Sequence, residues 1–215
     1  MADDHSIMLA GLRKLVEGIC DVVGAVEDGR ALVEAAERLQ PDLVLVDISM
    51  PLLNGMDAAR QLKKSIPNAK LIFLTMHASR VVAAEALQAG ANGYLLKQSA
   101  ASELPLAIEE VLKGNTYLTP TITRPVLNAM VTRNRTELRT SLMQLTPRQR
   151  EVLQLLAEGK SPKDIAVLLN VSVRTVDFHK TRLMQQLDLH STLALAKFAI
   201  AEGLVSADTG LSPQS

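Results

Sequence analysis

Apolar and polar residues follow one another in the first half of the chain in a pattern that predicts strands alternating with helices. The clearest strand is Leu43–Asp47, in which four apolar residues lead directly into a carboxylate. An uninterrupted apolar run of this kind is typical of a strand that is buried on both faces of a parallel sheet. Similar runs predict strands over 20–26, 70–75 and 93–97, and helical spacing predicts helices over 6–17, 28–39, 56–64, 81–89 and 102–113. The alternation predicts a doubly wound parallel α/β fold.

The second half of the chain carries signals for helices alone. Residues 146–149 (Thr-Pro-Arg-Gln) have the form of a capping box with proline at the first helical position. Ser161 and Ser172 begin two further helices, separated by a tight turn at residues 170–171, and a fourth helix covers residues 191–202. Two short helices joined by a turn predict a helix-turn-helix within an all-α, four-helix unit.

Charge is distributed unevenly over the 215 residues, although the net charge is zero. Residues 1–117 contain 11 basic and 15 acidic side chains, whereas residues 118–140 contain four arginines and one glutamate. We therefore predict a first domain over 1–117, a linker over 118–141, a second domain over 142–207 and a disordered tail over 208–215. A basic arm for DNA phosphates is the alternative interpretation of the linker.

The composition excludes several classes of protein. Cys20 is the only cysteine, so an internal disulfide is excluded, which fits a reducing cytoplasmic location. The sequence contains no apolar run long enough to span a bilayer, so no membrane association is expected. An aromatic content of 2% with no tryptophan argues against a pocket for a large flat ligand.

Polar residues follow the predicted strands at the points where those strands end. Asp47, Thr75 and Lys97 end three of them, and the pair Asp3-Asp4 lies just before the first helix. Each has an ordinary interpretation alone, such as a capping aspartate or a surface lysine. Because the carboxyl ends of parallel strands meet at one edge, their joint placement instead indicates a functional site.

Four motifs together make this half resemble a response-regulator receiver domain: Ala-Asp-Asp-His at 2–5, Val-Asp-Ile-Ser-Met-Pro at 46–51, Leu-Thr-Met-His at 74–77 and Gly-Tyr-Leu-Leu-Lys at 93–97. The resemblance implies that Asp47 accepts a phosphoryl group from a histidine kinase. It implies Mg²⁺ held by Asp4, Asp47 and the Ser49 carbonyl, with Asp3 assisting. It further implies that Lys97 pairs with the phosphoryl group, that Thr75 hydrogen-bonds it, and that Tyr94 swings inward in response.

The third helix of the second half carries the residues that decide its function. At 100° per residue, Val176, Leu183 and Leu187 share a stripe that faces the core. Phe178 falls on the opposite side, where it either contacts a thymine methyl group or folds back onto the preceding helix. The candidate DNA contacts, with the basic residues directed at phosphates, are Arg174, Thr175, Asp177, Phe178, His179, Lys180, Thr181, Arg182 and Gln185.

This half resembles the LuxR-type helix-turn-helix through Leu-Thr-Pro-Arg-Gln-Arg-Glu-Val-Leu at 145–153, Thr175-Val176, His179 and Leu187. Together the halves resemble a NarL/FixJ-type response regulator. The resemblance implies a transcription regulator rather than an enzyme, which binds double-stranded DNA as a homodimer through the helix at 191–202. RNA polymerase is a further candidate partner. Asp177 is acidic where some relatives are basic, so the preferred base sequence stays open.

Three other functions compete with this interpretation. A phosphohydrolase using Asp47 as nucleophile would commonly need a second carboxylate soon after it, and residues 48–50 offer none. A ligand-sensing regulator is disfavoured by the shortage of aromatic residues. The alternative that remains is a receiver that acts by phosphorylation-independent dimerisation.

The segment before Asp3 raises a question about the sheet. In the flavodoxin-like strand order 2-1-3-4-5 an apolar strand precedes the acidic pair, but only Met1-Ala2 stands there. Without that strand, the strands at 20–26 and 43–47 each lose a neighbour, so we expect a poorly stable sheet. Our hypothesis is that the natural chain starts upstream and that Met1 is an internal methionine. Closure of the gap, or a strand borrowed from a partner, is the less favoured alternative.

Overall fold

The computed structural model describes residues 1–76, 78–131 and 141–205. The chain divides into two compact units, the first formed by residues 1–50 and 55–131 and the second by residues 51–54 and 141–205. Within these ranges, every helix is too short or too polar to cross a lipid bilayer. The predicted tail at 208–215 and the part of the predicted linker at 132–140 lie outside the described residues.

The first unit alternates helices and strands, as the apolar pattern predicts. Its strands are β1 (Leu43–Asp47), β2 (Lys70–Thr75), β3 (Gly93–Leu96) and β4 (Tyr117–Leu118). Its helices are α1 (Ser6–Val16), α2 (Gly29–Leu39), α3 (Gly55–Ser65), α4 (Arg80–Gln88), α5 (Ala100–Leu112) and α6 (Pro120–Val131). A single 3-10 turn, Lys97–Ser99, separates β3 from α5.

The four strands form one parallel sheet in the order β1-β2-β3-β4. Asp47 lies beside Leu74, and Thr75 lies beside Leu96, the residue before Lys97. The register therefore brings the polar ends of β1, β2 and β3 to one edge, where ligands of open α/β sheets bind.

Both faces of the sheet are covered. On one face α1 and α5 contact each other over a cluster that includes Leu45, Ile72 and Leu95. Val44 and Val46 point to the opposite face because side chains alternate along a strand, and both are buried as well. This arrangement confirms the predicted doubly wound parallel fold.

The segment before Asp3 takes part in the sheet through one residue. Ala2 bridges Val26 on one side and Val46 on the other, both in parallel orientation. The Ala2 N–H donates to the Leu45 carbonyl at 2.8 Å, and the Asp47 N–H donates to the Ala2 carbonyl at 2.9 Å. Ala2 thus spans one end of the predicted gap without closing the rest of it.

The strand predicted over 20–26 was wrong except at its last residue. Residues 20–25 form neither helix nor strand, and Val26 forms a β-bridge with Ala2. A strand forms only where a bonded neighbour lies beside it, and the described chain provides one for this segment only at its end.

Part of the predicted linker has regular structure. Tyr117–Leu118 pairs with β3 as the short strand β4, and Pro120–Val131 forms the helix α6, which contacts α4. Pro120 is at the first position of α6, where its missing N–H costs nothing.

The second unit is helical, as predicted. A 3-10 turn at Ser141–Gln144 precedes α7 (Pro147–Ala157), α8 (Pro162–Leu168), α9 (Val173–Leu187) and α10 (Thr192–Ala201). Thr146 and Gln149 form the predicted capping box, and Ser161 forms a second one with Asp164. The helices enclose a core that includes Val152, Leu155 and Leu195.

Candidate functional site

Three of the predicted site residues meet in an ion-pair cluster at the carboxyl edge of the sheet. The Lys97 Nζ atom lies 2.9 Å from Asp47 Oδ2 and 2.7 Å from Asp3 Oδ2. The side chains of all three are almost fully buried. Because Lys97 bridges two carboxylates in a site of low dielectric, each partner holds the others in one geometry.

Asp3, Asp4 and His5 form a second group beside this cluster. One potential ligand atom from each residue lies within 4.8 Å of the others. The His5 N–H donates to Asp3 Oδ1 at 3.0 Å, and His5 Nδ1 lies 2.7 Å from Asp4 Oδ1. His5 is part of the motif at 2–5, but no role is predicted for it from the sequence. Ser49 lies two residues beyond Asp47, in the bend that follows β1.

Thr75 and Tyr94 are joined by a hydrogen bond between their side chains. Both residues are buried, and the Tyr94 ring is fully inaccessible to solvent. Burial raises the pKa of Tyr94 well above its usual value, and the bond to Thr75 only partly offsets this. Tyr94 is therefore a neutral hydroxyl and already lies inside the unit in this structure.

Gly55 is a residue of the site that the sequence analysis did not single out. It begins α3, and its N–H donates to the Ile48 carbonyl at 2.9 Å. A Cβ atom at this position would lie 2.0 Å from the Asp47 carbonyl oxygen. The loop can thus return to the end of β1 only because residue 55 has no side chain.

The electrostatics of the pocket follow from burial and from the shared lysine. Burial raises the pKa of Asp47 to about 6, against the opposing attraction of Lys97. Burial acts to lower the pKa of Lys97, but Asp47 and Asp3 together outweigh it, so that this pKa is raised. Near pH 7.5 the pocket therefore presents an ionised carboxylate against a charged lysine.

Helix α9 presents the second group of predicted site residues. The Ser172 hydroxyl caps it by accepting from the Thr175 N–H at 3.1 Å. Val176 and Leu183 are fully buried and Leu187 packs against the same core, as the stripe predicts. The exposed candidates are Arg174, Asp177, Phe178, Thr181, Arg182 and Gln185, and the half-buried ones are Thr175, His179 and Lys180.

Phe178 lies on the outer surface of α9 with 56% of its area exposed. The alternative in which it folds back onto the preceding helix is therefore wrong. The Arg182 guanidinium lies 5.5 Å from the centre of the Phe178 ring, and the His179 ring meets it edge-on at 5.6 Å. The i, i+4 spacing of Phe178 and Arg182 is the one sequence feature that indicates this stack.

Comparison with known families assigns both units. Residues 1–109 match the response regulator receiver domain, and residues 143–199 match the bacterial regulatory proteins of the luxR family. Receiver domains generally bind Mg²⁺ at their acidic site.

Whole-chain relatives combine the same two parts. The response regulator UvrY of Escherichia coli K12 is 32% identical over 211 residues, which cover 97% of this chain and 96% of UvrY. The structure of RcsB from Salmonella enterica serovar Typhimurium, bound to promoter P1flhDC with the phosphomimetic BeF₃⁻, is 31% identical with a TM-score of 0.61. The matched region covers 93% of this chain and 96% of the RcsB chain.

A further structure, of two RcsB dimers bound to two parallel DNAs, is 30% identical with a TM-score of 0.54, covering 92% of this chain and 94% of that one. Relatives of this kind are transcription regulators. The chain belongs to the NarL/FixJ-type response regulators, in which a receiver domain is joined to a LuxR-type helix-turn-helix.

Proposed function

We propose that this protein is a DNA-binding transcription regulator that a histidine kinase switches by phosphorylating Asp47. The observation that carries the proposal is the buried Asp47 carboxylate, held 2.9 Å from Lys97 at the carboxyl edge of the sheet. In the transfer, an Asp47 oxygen attacks phosphorus, the bond from phosphorus to the kinase imidazole breaks, and the imidazole keeps the electron pair.

The chain's own residues supply the remaining parts of this chemistry. Lys97 is charged and neutralises the oxygens of the transferred group. Thr75 offers its hydroxyl to one of those oxygens, which competes with its present bond to Tyr94. Loss of that bond is the local event that we infer transmits phosphorylation away from Asp47.

The acidic residues fit a divalent cation. Asp4 Oδ1 is buried and accepts no hydrogen bond of good geometry from the described residues. Carboxylate and carbonyl oxygens are the ligands that Mg²⁺ prefers, so we assign its binding to Asp3, Asp4, Asp47 and the Ser49 carbonyl. When bound, the ion would offset the charge that develops on the phosphoryl oxygens.

The second unit is the proposed DNA reader, with the outer face of α9 in the major groove. Arg174, Lys180 and Arg182 bring positive charge to that face, which suits backbone phosphates. We infer a homodimer through α10, where Leu193 and Ile200 are exposed apolar residues. We further infer that the protein is a cytoplasmic regulator and not an enzyme. Its domains are inferred at 1–117 and 142–207, and RNA polymerase is a candidate partner.

Incubation with a small phosphoryl donor and Mg²⁺, followed by intact-mass measurement, tests the proposal. The protein should gain one phosphoryl group, and Asp47→Asn should gain none because the nucleophile is lost. Asp42→Asn, an exposed change just before β1, is the matched control and should behave like wild type. Uptake by Asp47→Asn would remove Asp47 from its role, and no uptake by wild type would favour phosphorylation-independent dimerisation.

A further inference from the structure

Lys97 holds the ion-pair cluster together from the first position after β3. Its side chain is 5% exposed, and its Nζ atom contacts both Asp3 and Asp47. An ammonium group at the end of four methylene groups keeps one position only where the backbone that carries it is also fixed. The position of the Lys97 ammonium group therefore depends on how Leu96, the last residue of β3, is held.

The parallel pairing of β3 with β4 ends at Thr119. The Thr119 N–H donates to the Tyr94 carbonyl at 3.0 Å, which continues the ladder. In a parallel ladder the carbonyl of the same residue would accept from the N–H two residues further along, which belongs to Leu96. The Thr119 carbonyl instead accepts from the Ile122 N–H at 3.0 Å and from the Thr123 hydroxyl at 3.1 Å. The start of α6 thus takes away the backbone partner of the Leu96 N–H.

The Thr119 side chain replaces that partner. The Leu96 N–H donates to Thr119 Oγ1 at 3.2 Å, and Thr119 is 2% exposed. The hydroxyl in turn donates at 2.8 Å to Oε2 of Glu103, which lies in the first turn of α5. A hydroxyl has one proton, so donating it to the carboxylate leaves the oxygen lone pairs free to accept from the Leu96 N–H. Glu103 therefore orients the hydroxyl, and the hydroxyl holds the backbone of Leu96.

The carbonyl of Leu96 is held by the turn that follows it. The Ser99 hydroxyl donates to this carbonyl at 3.1 Å, within the same 3-10 turn as Lys97. That bond shapes the turn but joins only residues that are close in sequence. The bond from Leu96 to Thr119 instead joins the turn to a residue 23 positions later, at the end of β4.

We propose that Thr119 and Glu103 are positioning residues for phosphoryl transfer, because they fix the backbone that carries Lys97. The inference rests on the proposed role of Asp47 as the phosphoryl acceptor. Thr119 and Glu103 act through Lys97 and not on the reacting atoms. Without the Thr119 hydroxyl, the buried Leu96 N–H loses its acceptor, so Leu96 must move to reach another one. A displacement of about 1 Å at the ammonium group is enough to slow a positioned reaction by about tenfold or more.

Two substitutions of Thr119 in the full chain test the proposal. Valine removes the hydroxyl and keeps the branched shape, whereas serine keeps the hydroxyl. With acetyl phosphate and Mg²⁺, Thr119→Val should take up phosphoryl groups about tenfold more slowly than wild type, and Thr119→Ser should stay within about threefold of wild type, as intact mass measures. Ile108→Val, a change at a fully buried residue of α5, is the matched control for loss of packing and should also stay within about threefold.

The Lys97→Gln background shows whether Thr119 acts through Lys97. There Thr119→Val should slow uptake by no more than about twofold beyond Lys97→Gln alone, since the group that it positions is gone. A further slowing of about tenfold in this background would overturn the proposal. In the wild-type background Glu103→Ala should slow uptake about threefold or more, and Glu109→Ala, an exposed change on the same helix, should not.

Acetylation by acetic anhydride reads the position of Lys97 without phosphorylation. The Lys97 ammonium group is buried between two carboxylates, so it should react slowly, as peptide mass spectrometry measures. The rate should rise about fivefold or more in Thr119→Val and stay unchanged in Thr119→Ser and Ile108→Val. Exposed Lys14 should react at the same rate in all of these proteins.

The two measurements separate failure of this inference from failure of the proposed function. An unchanged rate of Lys97 acetylation in Thr119→Val would overturn the positioning role, whatever happens to phosphoryl uptake. A wild-type protein that takes up no phosphoryl group would overturn the proposed function. In that case a faster acetylation of Lys97 in Thr119→Val would still show that Thr119 fixes Lys97.

Discussion

The ionisation of Asp47 depends on Lys97, and the backbone conformation at Asp47 depends on Gly55. Lys97 supplies the positive charge that keeps a buried carboxylate ionised near neutral pH, and Gly55 allows the backbone to approach the end of β1. The first effect is electrostatic and changes with pH. The second is steric and does not, so the two can be tested separately.

Replacement of Gly55 by alanine should destabilise the protein by about 1–3 kcal/mol, the usual cost of overpacking. The added Cβ would meet a backbone oxygen at 2.0 Å, and that atom cannot rotate away as a side chain would. Phosphoryl uptake at Asp47 should slow as well. Gly11→Ala in α1 is the matched control, because its Cβ would meet no atom within 4 Å and should not destabilise. Equal stability of the two variants in denaturant unfolding would contradict this account.

Asp47→Asn should stabilise the metal-free protein at pH 7.5. Burial raises the pKa of Asp47 in the folded state to about 6, above the usual aspartate value of 3.8. The Asp47 carboxyl group thus binds its proton more tightly in the folded state than in the unfolded state. The free energy of unfolding therefore falls as pH rises from about 4 to about 6, and it stays at the lower value above pH 6. The variant should gain up to about 3 kcal/mol at pH 7.5 in chelator and little near pH 4. Thermal unfolding across pH measures this, with exposed Asp21→Asn as control, and a gain that does not vary with pH would contradict it.

Helix α9 separates structural and contact roles by face. Its inner stripe fixes the helix to the second core, and its outer stripe carries an exposed aromatic ring with an arginine packed on it. An exposed phenylalanine contributes little to the stability of the fold, so its role depends on the groups that its ring contacts. In this helix it contacts Arg182, which restricts the guanidinium before any DNA is bound.

Substitutions on α9 should divide into two classes when binding is measured by fluorescence anisotropy over a salt series. Lys180→Ala should weaken binding to all sequences alike and lower the salt slope by about one, as loss of a phosphate contact does. Phe178→Ala should change which operators are preferred, because the ring is placed to meet a thymine methyl group. Lys14→Ala, an exposed lysine of α1, controls for loss of one charge. Altered base preference in Lys180→Ala with an unchanged salt slope would contradict this sorting.

The whole molecule joins a receiver domain to a LuxR-type helix-turn-helix, so the proposed function depends on coupling between the two. A dimer binds the two half-sites of an operator together. By thermodynamic linkage, any change that phosphorylation makes in the dimerisation equilibrium therefore also changes the operator affinity.

Phosphorylation should raise operator affinity by about 1–3 kcal/mol, or about 5- to 150-fold, at matched salt. The physical reason is that a favoured dimer binds its second half-site without a second loss of rigid-body freedom. Anisotropy with and without phosphoryl donor, alongside sedimentation for the oligomeric state, measures the effect. Asp47→Asn should show no response to the donor. Identical affinity of phosphorylated and unmodified wild type would remove the switch.

The amino-acid sequence by itself determined the alternating α/β order, the helical second half and the three strand ends at Asp47, Thr75 and Lys97. These follow from periodicity and capping, which are local properties of the chain. Only the tertiary structure decided that Asp3 shares Lys97 with Asp47, that Gly55 touches the Asp47 backbone and that Phe178 lies outside. It also decided that residues 20–25 pair with no strand in the part of the chain that the structure describes. Pairing and close contact join positions far apart in sequence, so local patterns cannot predict them.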